Sequence, residues 1–147
     1  MKTLCKSALI GTILLLLAAC SQQQAPAGRW EGYLEDTEWI IAVRLQVNEG
    51  NTIYATALSL DVSAMSNAAR MENTQTLLQT LPEQWKEATP GEIDFSNNIL
   101  RRKGGVAPLF VHEPSSNTMT FHFYAGGKLT RRVPLRPVEA FTPPPGR

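Results

Sequence analysis

Between residues 38 and 47 the chain alternates with period two. Trp39, Ile41, Val43, Leu45 and Val47 fall on one side, and Glu38, Ile40, Ala42, Arg44 and Gln46 on the other. Because successive side chains of a strand point to opposite faces, this pattern predicts a strand with one fully apolar face. Asn48-Glu49-Gly50-Asn51 supplies a turn, and residues 52–60 return rich in β-branched and small side chains, so 38–60 reads as a hairpin. A second hairpin follows the same logic. Met119, Phe121 and Phe123 face one way and Thr118, Thr120, His122 and Tyr124 the other; Ala125-Gly126-Gly127-Lys128 turns the chain. Residues 129–135 come back with Leu129, Val133 and Leu135 on one face, which Arg131 interrupts, while Pro134 marks an edge or an end. Weaker strands are predicted at 29–34, 92–96, 99–103 and 108–112, separated by Asn97-Asn98, Gly104-Gly105 and Pro114-Ser115-Ser116-Asn117. The fold class is therefore mostly β: an antiparallel barrel or half-open β-sandwich of about eight strands.

One stretch departs from this rhythm. Ala64, Ala68, Met71, Leu78, Leu81 and Trp85 fall near helical spacing, which predicts a helical insert at about 64–86. Pro82 is expected to interrupt it, and Thr80-Leu81-Pro82-Glu83 has the spacing of a capping box, so a helix over 64–78 and a short one over 82–86 are expected. They would lie across one mouth or face of the sheet. Residues 20–28 have no apolar periodicity and read as a tether, and the proline-rich end at 139–147 as a disordered tail, because consecutive prolines offer a sheet no donors. The domain proper spans 29–138.

The first 19 residues carry a different message. Lys2 and Lys6 precede an apolar stretch from 8 to 17 that is shorter than the roughly 20 residues a bilayer span requires, so 1–19 reads as a signal peptide. Its end, Leu17-Ala18-Ala19-Cys20, resembles the lipobox of bacterial lipoproteins. The resemblance implies acylation of Cys20, cleavage before it, and a membrane anchor of two or three acyl chains, enough to hold firmly at about 0.8 kcal/mol per buried methylene. Ser21 after the cysteine implies sorting to the outer membrane, with the domain facing the periplasm. Cys5 lies in the removed peptide, so no thiol remains beyond Cys20 and no disulfide, thiol catalysis or cysteine metal site is expected in the domain.

Charge then sharpens the architecture. The chain holds 14 Lys and Arg against 13 Asp and Glu; without Lys2 and Lys6 the balance falls to −1, which leaves no nucleic-acid footprint. Residues 20–94 contain 11 acids and 4 bases, whereas 95–147 contain 2 acids and 8 bases. Halves of opposite sign attract if the first and last strands are neighbours, as closure of a barrel makes them.

Gly28-Arg29-Trp30, opening the first strand of an eight-stranded pattern, resembles the G-x-W signature of lipocalin-like barrels. The resemblance implies that Trp30 closes the barrel floor with an arginine from the last strand across its face, a role that falls to Arg131. The residues from Trp30 to Leu34 and from Thr52 to Leu60 also look like the small lipocalin-like β-domain of bacterial envelope proteins.

Chemistry is sparse. His112 and His122 are expected on the outward faces of their strands with no ligand partners at metal spacing, so no metal is assigned. Glu35, Asp36, Glu38, Glu92 and Asp94 read as solvated carboxylates, and Ser59 with Asp61 lacks a nucleophile elbow. Gly104-Gly105 and Gly126-Gly127 join strands and make no phosphate loop. Arg101-Arg102-Lys103 and Arg131-Arg132 neutralise the acidic half or meet anionic lipid. No catalytic residue and no cofactor are assigned. The expected role is non-catalytic binding, with Trp39, Ile41, Val43, Leu45, Phe121 and Phe123 lining a cavity for a small apolar or amphipathic ligand, unless the barrel is simply filled. An envelope protein-interaction module is the alternative, and an inhibitor of or accessory to an envelope hydrolase a third.

Overall fold

The computed structural model describes residues 23–145; the expected signal peptide at 1–19 and Cys20 lie outside the described residues. Eight strands run β1 (Gly28–Glu35), β2 (Trp39–Asn48), β3 (Thr52–Asp61), β4 (Gly91–Ser96), β5 (Ile99–Arg102), β6 (Pro108–Glu113), β7 (Thr118–Ala125) and β8 (Lys128–Pro137), with one helix, α1 (Asn67–Lys86), between β3 and β4. Each strand pairs antiparallel with the next and β8 returns to β1, so the sheet is a closed barrel. The half-open alternative is not adopted.

β2 is the backbone of this wall. It pairs with β1 from Gly28↔Val47 to Glu35↔Ile40 and with β3 from Asn48↔Thr52 to Trp39↔Asp61. Two-residue turns at Asn97-Asn98 and Gly126-Gly127 close hairpins with positive φ at both positions, the conformation that matches strand twist. Two seams are short. β3 meets β4 only at Thr52↔Glu92 and Ile53↔Gly91, and β8 meets β1 only at Trp30↔Pro137 and Glu31↔Arg136. Across the second seam, a Cβ on Gly32 would stand 2.3 Å from the Pro134 carbonyl oxygen. Only glycine lets the two backbones approach so closely. Pro134 sits where β8 has left its ladder with β1, so its missing N–H costs no bond there.

Alternation along the strands sorts side chains as predicted for β2, but both of its faces are covered. Ile41, Val43, Leu45 and Val47 join Trp30, Leu100, Phe110, Met119, Val133 and Leu135 in the interior cluster. Ile40 and Ala42, on the outer face, are equally buried, because α1 lays Leu77 and Leu81 over them together with Val62.

The helix corrects the expectation of a break at Pro82. α1 runs unbroken through that proline. Ser66 caps it, its hydroxyl accepting from the Ala69 amide at 3.3 Å, whereas Thr80 turns its hydroxyl back to the Thr76 carbonyl at 2.8 Å and caps nothing. An interior proline costs about 3 kcal/mol in an isolated helix, and burial of Leu77 and Leu81, one turn apart and just ahead of the proline, offsets that cost. The buried face also differs from the expected one: Met71 points to solvent at 75% exposure.

Closure joins the halves of opposite charge. Three of the six ion pairs among the described residues link them where β8 meets the β1 side, Arg131 to Asp36 and to Glu38 and Arg136 to Glu31, and a fourth, Lys103 to Glu92, joins them within the β4–β5 hairpin.

Candidate functional site

The predicted cavity residues all point into the barrel, where they find each other rather than space. Ile41, Val43 and Leu45 are at most 1% exposed, and Trp39, Phe121 and Phe123 pack against the same cluster. Trp39 meets Phe123 edge-on at 4.9 Å between centroids, and Phe110 lies 5.3 Å from Phe121. Three of the six are core, and the three aromatic rings, partly buried, pack against it.

Trp30 and Arg131 stand at opposite ends of the barrel, which corrects the expected stack. The indole is 1% exposed, donates its N–H to the Asn117 carbonyl at 3.0 Å, and lies against Gly28, where a Cβ would come within 2.9 Å of the ring. The glycine of the G-x-W string thus makes room for the tryptophan. Arg131, by contrast, pairs with Asp36 at 2.6 Å and with Glu38. Five residues of β1, Glu31 to Glu35, separate Trp30 from Asp36, which follows the far end of that strand. Arg131 was out of pattern because it faces the acidic β1–β2 turn. Its hydrogen bond is the main reason Asp36 titrates at about 2, with the Glu38 and Trp39 amides adding to it and desolvation opposing. Arg70 of α1 ties the same turn to the helix through Glu35 at 3.0 Å.

One of the two histidines is placed differently from expectation. His112 pairs across from Met119 and shares the face of Phe110, so it points inward at the barrel rim, bonded to the Asn117 amide oxygen at 3.1 Å. His122 keeps the outward face; desolvation, then the Arg132 charge, hold its pKa below the usual value. Among the described residues no three His, Cys, Asp or Glu side chains come together as metal ligands.

One cavity that the structure offers lies outside the barrel wall. A groove of about 490 Å³ runs between the outer faces of β1, β2 and β8, the α1 residues Leu78 and Leu81, and the chain end at 142–145. Gly32, Ala42 and Pro134 with Leu78 and Leu81 form its apolar lining, with Glu31, Arg44 and Arg136 as its charged groups; Val43 and Leu135, which also border it, belong to the interior cluster. This size falls within the range of small-molecule sites.

The chain end closes over the groove. Residues 139–145 form no strand, as their prolines require, but they are held down instead of swinging free. Phe141 meets Trp85 edge-on at 4.7 Å and receives the Arg44 guanidinium over its ring at 5.0 Å. Thr142 donates its amide to Glu31 at 2.9 Å and its hydroxyl to the same carboxylate, while its carbonyl accepts from Arg44 Nη2 at 2.6 Å. Burial pushes the Glu31 carboxyl up, yet the bonds from Thr142 and Arg136 outweigh it and leave the group below the ordinary carboxylate value. Arg44 is 7% exposed, and its buried Nε has no hydrogen-bond partner. Burial lowers its pKa, and Glu31 only partly restores it.

Alternation predicted that Arg44 shares the outer face of β2, but nothing in the sequence placed Phe141 and Thr142 beside it. The available signal was a strand apolar on both faces, Ile40 and Ala42 as well as Ile41 and Val43, with one arginine inside it. Such a strand requires cover on its outside. Compared with known proteins, the chain matches no family model, no curated protein and no solved structure.

Proposed function

We propose that this chain is a lipid-anchored protein of the bacterial envelope, held at the outer membrane through Cys20, whose barrel is a scaffold for non-catalytic binding of a small apolar or amphipathic ligand. The groove between the barrel wall, α1 and the chain end is the binding site. One observation carries the reading: the interior is occupied by its own side chains, whereas about 490 Å³ of space with an apolar floor and three charged groups lies on the outside. Support for the anchor is the Leu17-Ala18-Ala19-Cys20 string behind a short apolar stretch.

Titration of the protein with a neutral fluorescent apolar probe such as N-phenylnaphthylamine tests the site. One saturable event is expected, weakened by Leu78→Trp, which fills the groove from the helix. Saturable binding that ignores Leu78→Trp but is lost in Phe123→Trp would place the site inside the barrel. Absence of saturable binding rejects ligand binding altogether. The anchor is tested separately by metabolic labelling with a fatty acid, which Cys20→Ser should abolish.

A further inference from the structure

The Arg44 guanidinium is the least conventional group in the molecule. It is buried in an apolar slot, yet all six ion pairs among the described residues leave it out. A buried cation normally requires a paired anion, because desolvation otherwise costs several kcal/mol. Here its contacts are a neutral carbonyl, an aromatic face and an Nε left without an acceptor. Glu31 is near but already committed to Thr142 and Arg136. With Arg44 and Arg136 against Glu31, the groove carries one positive charge in excess.

We propose that the groove takes an amphiphile with an anionic head, a carboxylate or a phosphate ester, seated on Arg44 where the Thr142 carbonyl now lies, its alkyl chain along Gly32, Ala42 and Leu78. The inference rests on the ligand-binding reading above and adds the chemistry of the head. A guanidinium presents a planar fork of donors that an anionic oxygen pair satisfies with two parallel bonds; a single carbonyl engages one arm only. The Thr142 carbonyl is thus a neutral substitute for the missing anion. It is delivered by a segment without secondary structure, pinned by Phe141 against Trp85. Head and strap compete for one guanidinium, so loosening the strap strengthens ligand binding, and the ligand releases the strap by the same factor.

The test is a calorimetric titration of the full domain with decanoate, decyl phosphate, decan-1-ol and decylamine. Both anions are expected to bind about 10-fold tighter than the alcohol, the amine weakest of all; the tighter anion identifies which head the groove is built for. Arg44→Gln should bring anions and alcohol together, and Phe141→Ala should tighten the anions several-fold. Should Arg44→Gln fail to fold, the head-group series on the unaltered protein decides alone. Equal affinity for alcohol and anions overturns the role of Arg44 while leaving the apolar groove standing. No binding of any of the four, to the unaltered protein or to Phe141→Ala, removes the groove as a site.

Discussion

The two faces of β2 are both buried, and they are buried by different means. Toward the barrel axis, Ile41, Val43, Leu45 and Val47 are covered by the other strands of the same sheet, and side chains fill the space. Away from it, Ile40, Ala42 and Arg44 are covered by a helix and a chain end that come from elsewhere in the sequence, and the cover leaves a groove. Closure of a sheet forces its inner face to pack, since every strand is locked to two neighbours. The outer cover has no such constraint. Space for a ligand therefore arises where elements of different kinds meet, between sheet, helix and strap, and not where a repeating element closes on itself.

Truncating one large side chain on each face puts this contrast under the greatest strain. Trp30→Ala, in the interior, should cost about 3–5 kcal/mol by urea unfolding, the range for a fully buried tryptophan; its Asn117 bond is lost as well. Phe141→Ala, on the outside, should cost about 1 kcal/mol, because a half-exposed ring contributes chiefly an edge contact and a cation–π contact. Comparable losses would mean that strap and barrel form one cooperative core, and the distinction between a filled inside and a movable outside would fail. Next in size is Gly32→Ala. The added methyl group would meet the Pro134 carbonyl at the β1–β8 seam, so a loss of about 1–3 kcal/mol is expected, with a lower midpoint and an unchanged m-value. A neutral outcome would show that the seam opens freely.

The same contrast explains what could be read from the sequence. Alternation in 38–47 and 118–124 fixes which side chains share a face, and in a closed sheet that alone selects the core, so Trp39, Ile41, Val43, Leu45, Phe121 and Phe123 were all identified as inward. β6 was read with the wrong face inward because Leu109 and Val111 look as apolar as Phe110, and a six-residue strand with a register shift in its partner offers too few positions to decide. Pro82 misled for another reason: local preference was overruled by the burial of Leu77 and Leu81. Arg131 was matched with Trp30 because the lipocalin-like resemblance implies an arginine of the last strand over the tryptophan and Arg131 stood out on the apolar face of that strand, but sharing the last strand says nothing about height along the barrel; the acidic 35–38 turn was the better partner. A double-mutant cycle with Trp30→Ala and Arg131→Ala should be additive within about 0.5 kcal/mol, whereas Asp36→Asn with Arg131→Ala should not be. The groove was the least legible part, since its walls are separated by about a hundred residues between Glu31 and Thr142.

Acid should separate strap from barrel more gently than any of these substitutions. Glu31 holds the Thr142 amide and hydroxyl, and those bonds help to keep its folded pKa below the ordinary value of 4.5. A depressed carboxylate contributes stability above its ordinary pKa and loses it as pH falls through the folded value, because the unfolded chain takes up the proton first. Asp36 obeys the same sign, its contribution fading from 3.8 down to about 2. Protonation of Glu31 should therefore loosen the strap while the Arg131–Asp36 bridge still holds the acidic turn. The amide resonance of Thr142, which reports the bond to Glu31 directly, should shift with an inflection below 4.5, and Glu31→Gln should remove that inflection without unfolding the barrel. A Thr142 amide indifferent to acid down to the titration of Asp36 would mean that the strap does not rest on Glu31, and the outer face of β2 would then need another explanation for its burial.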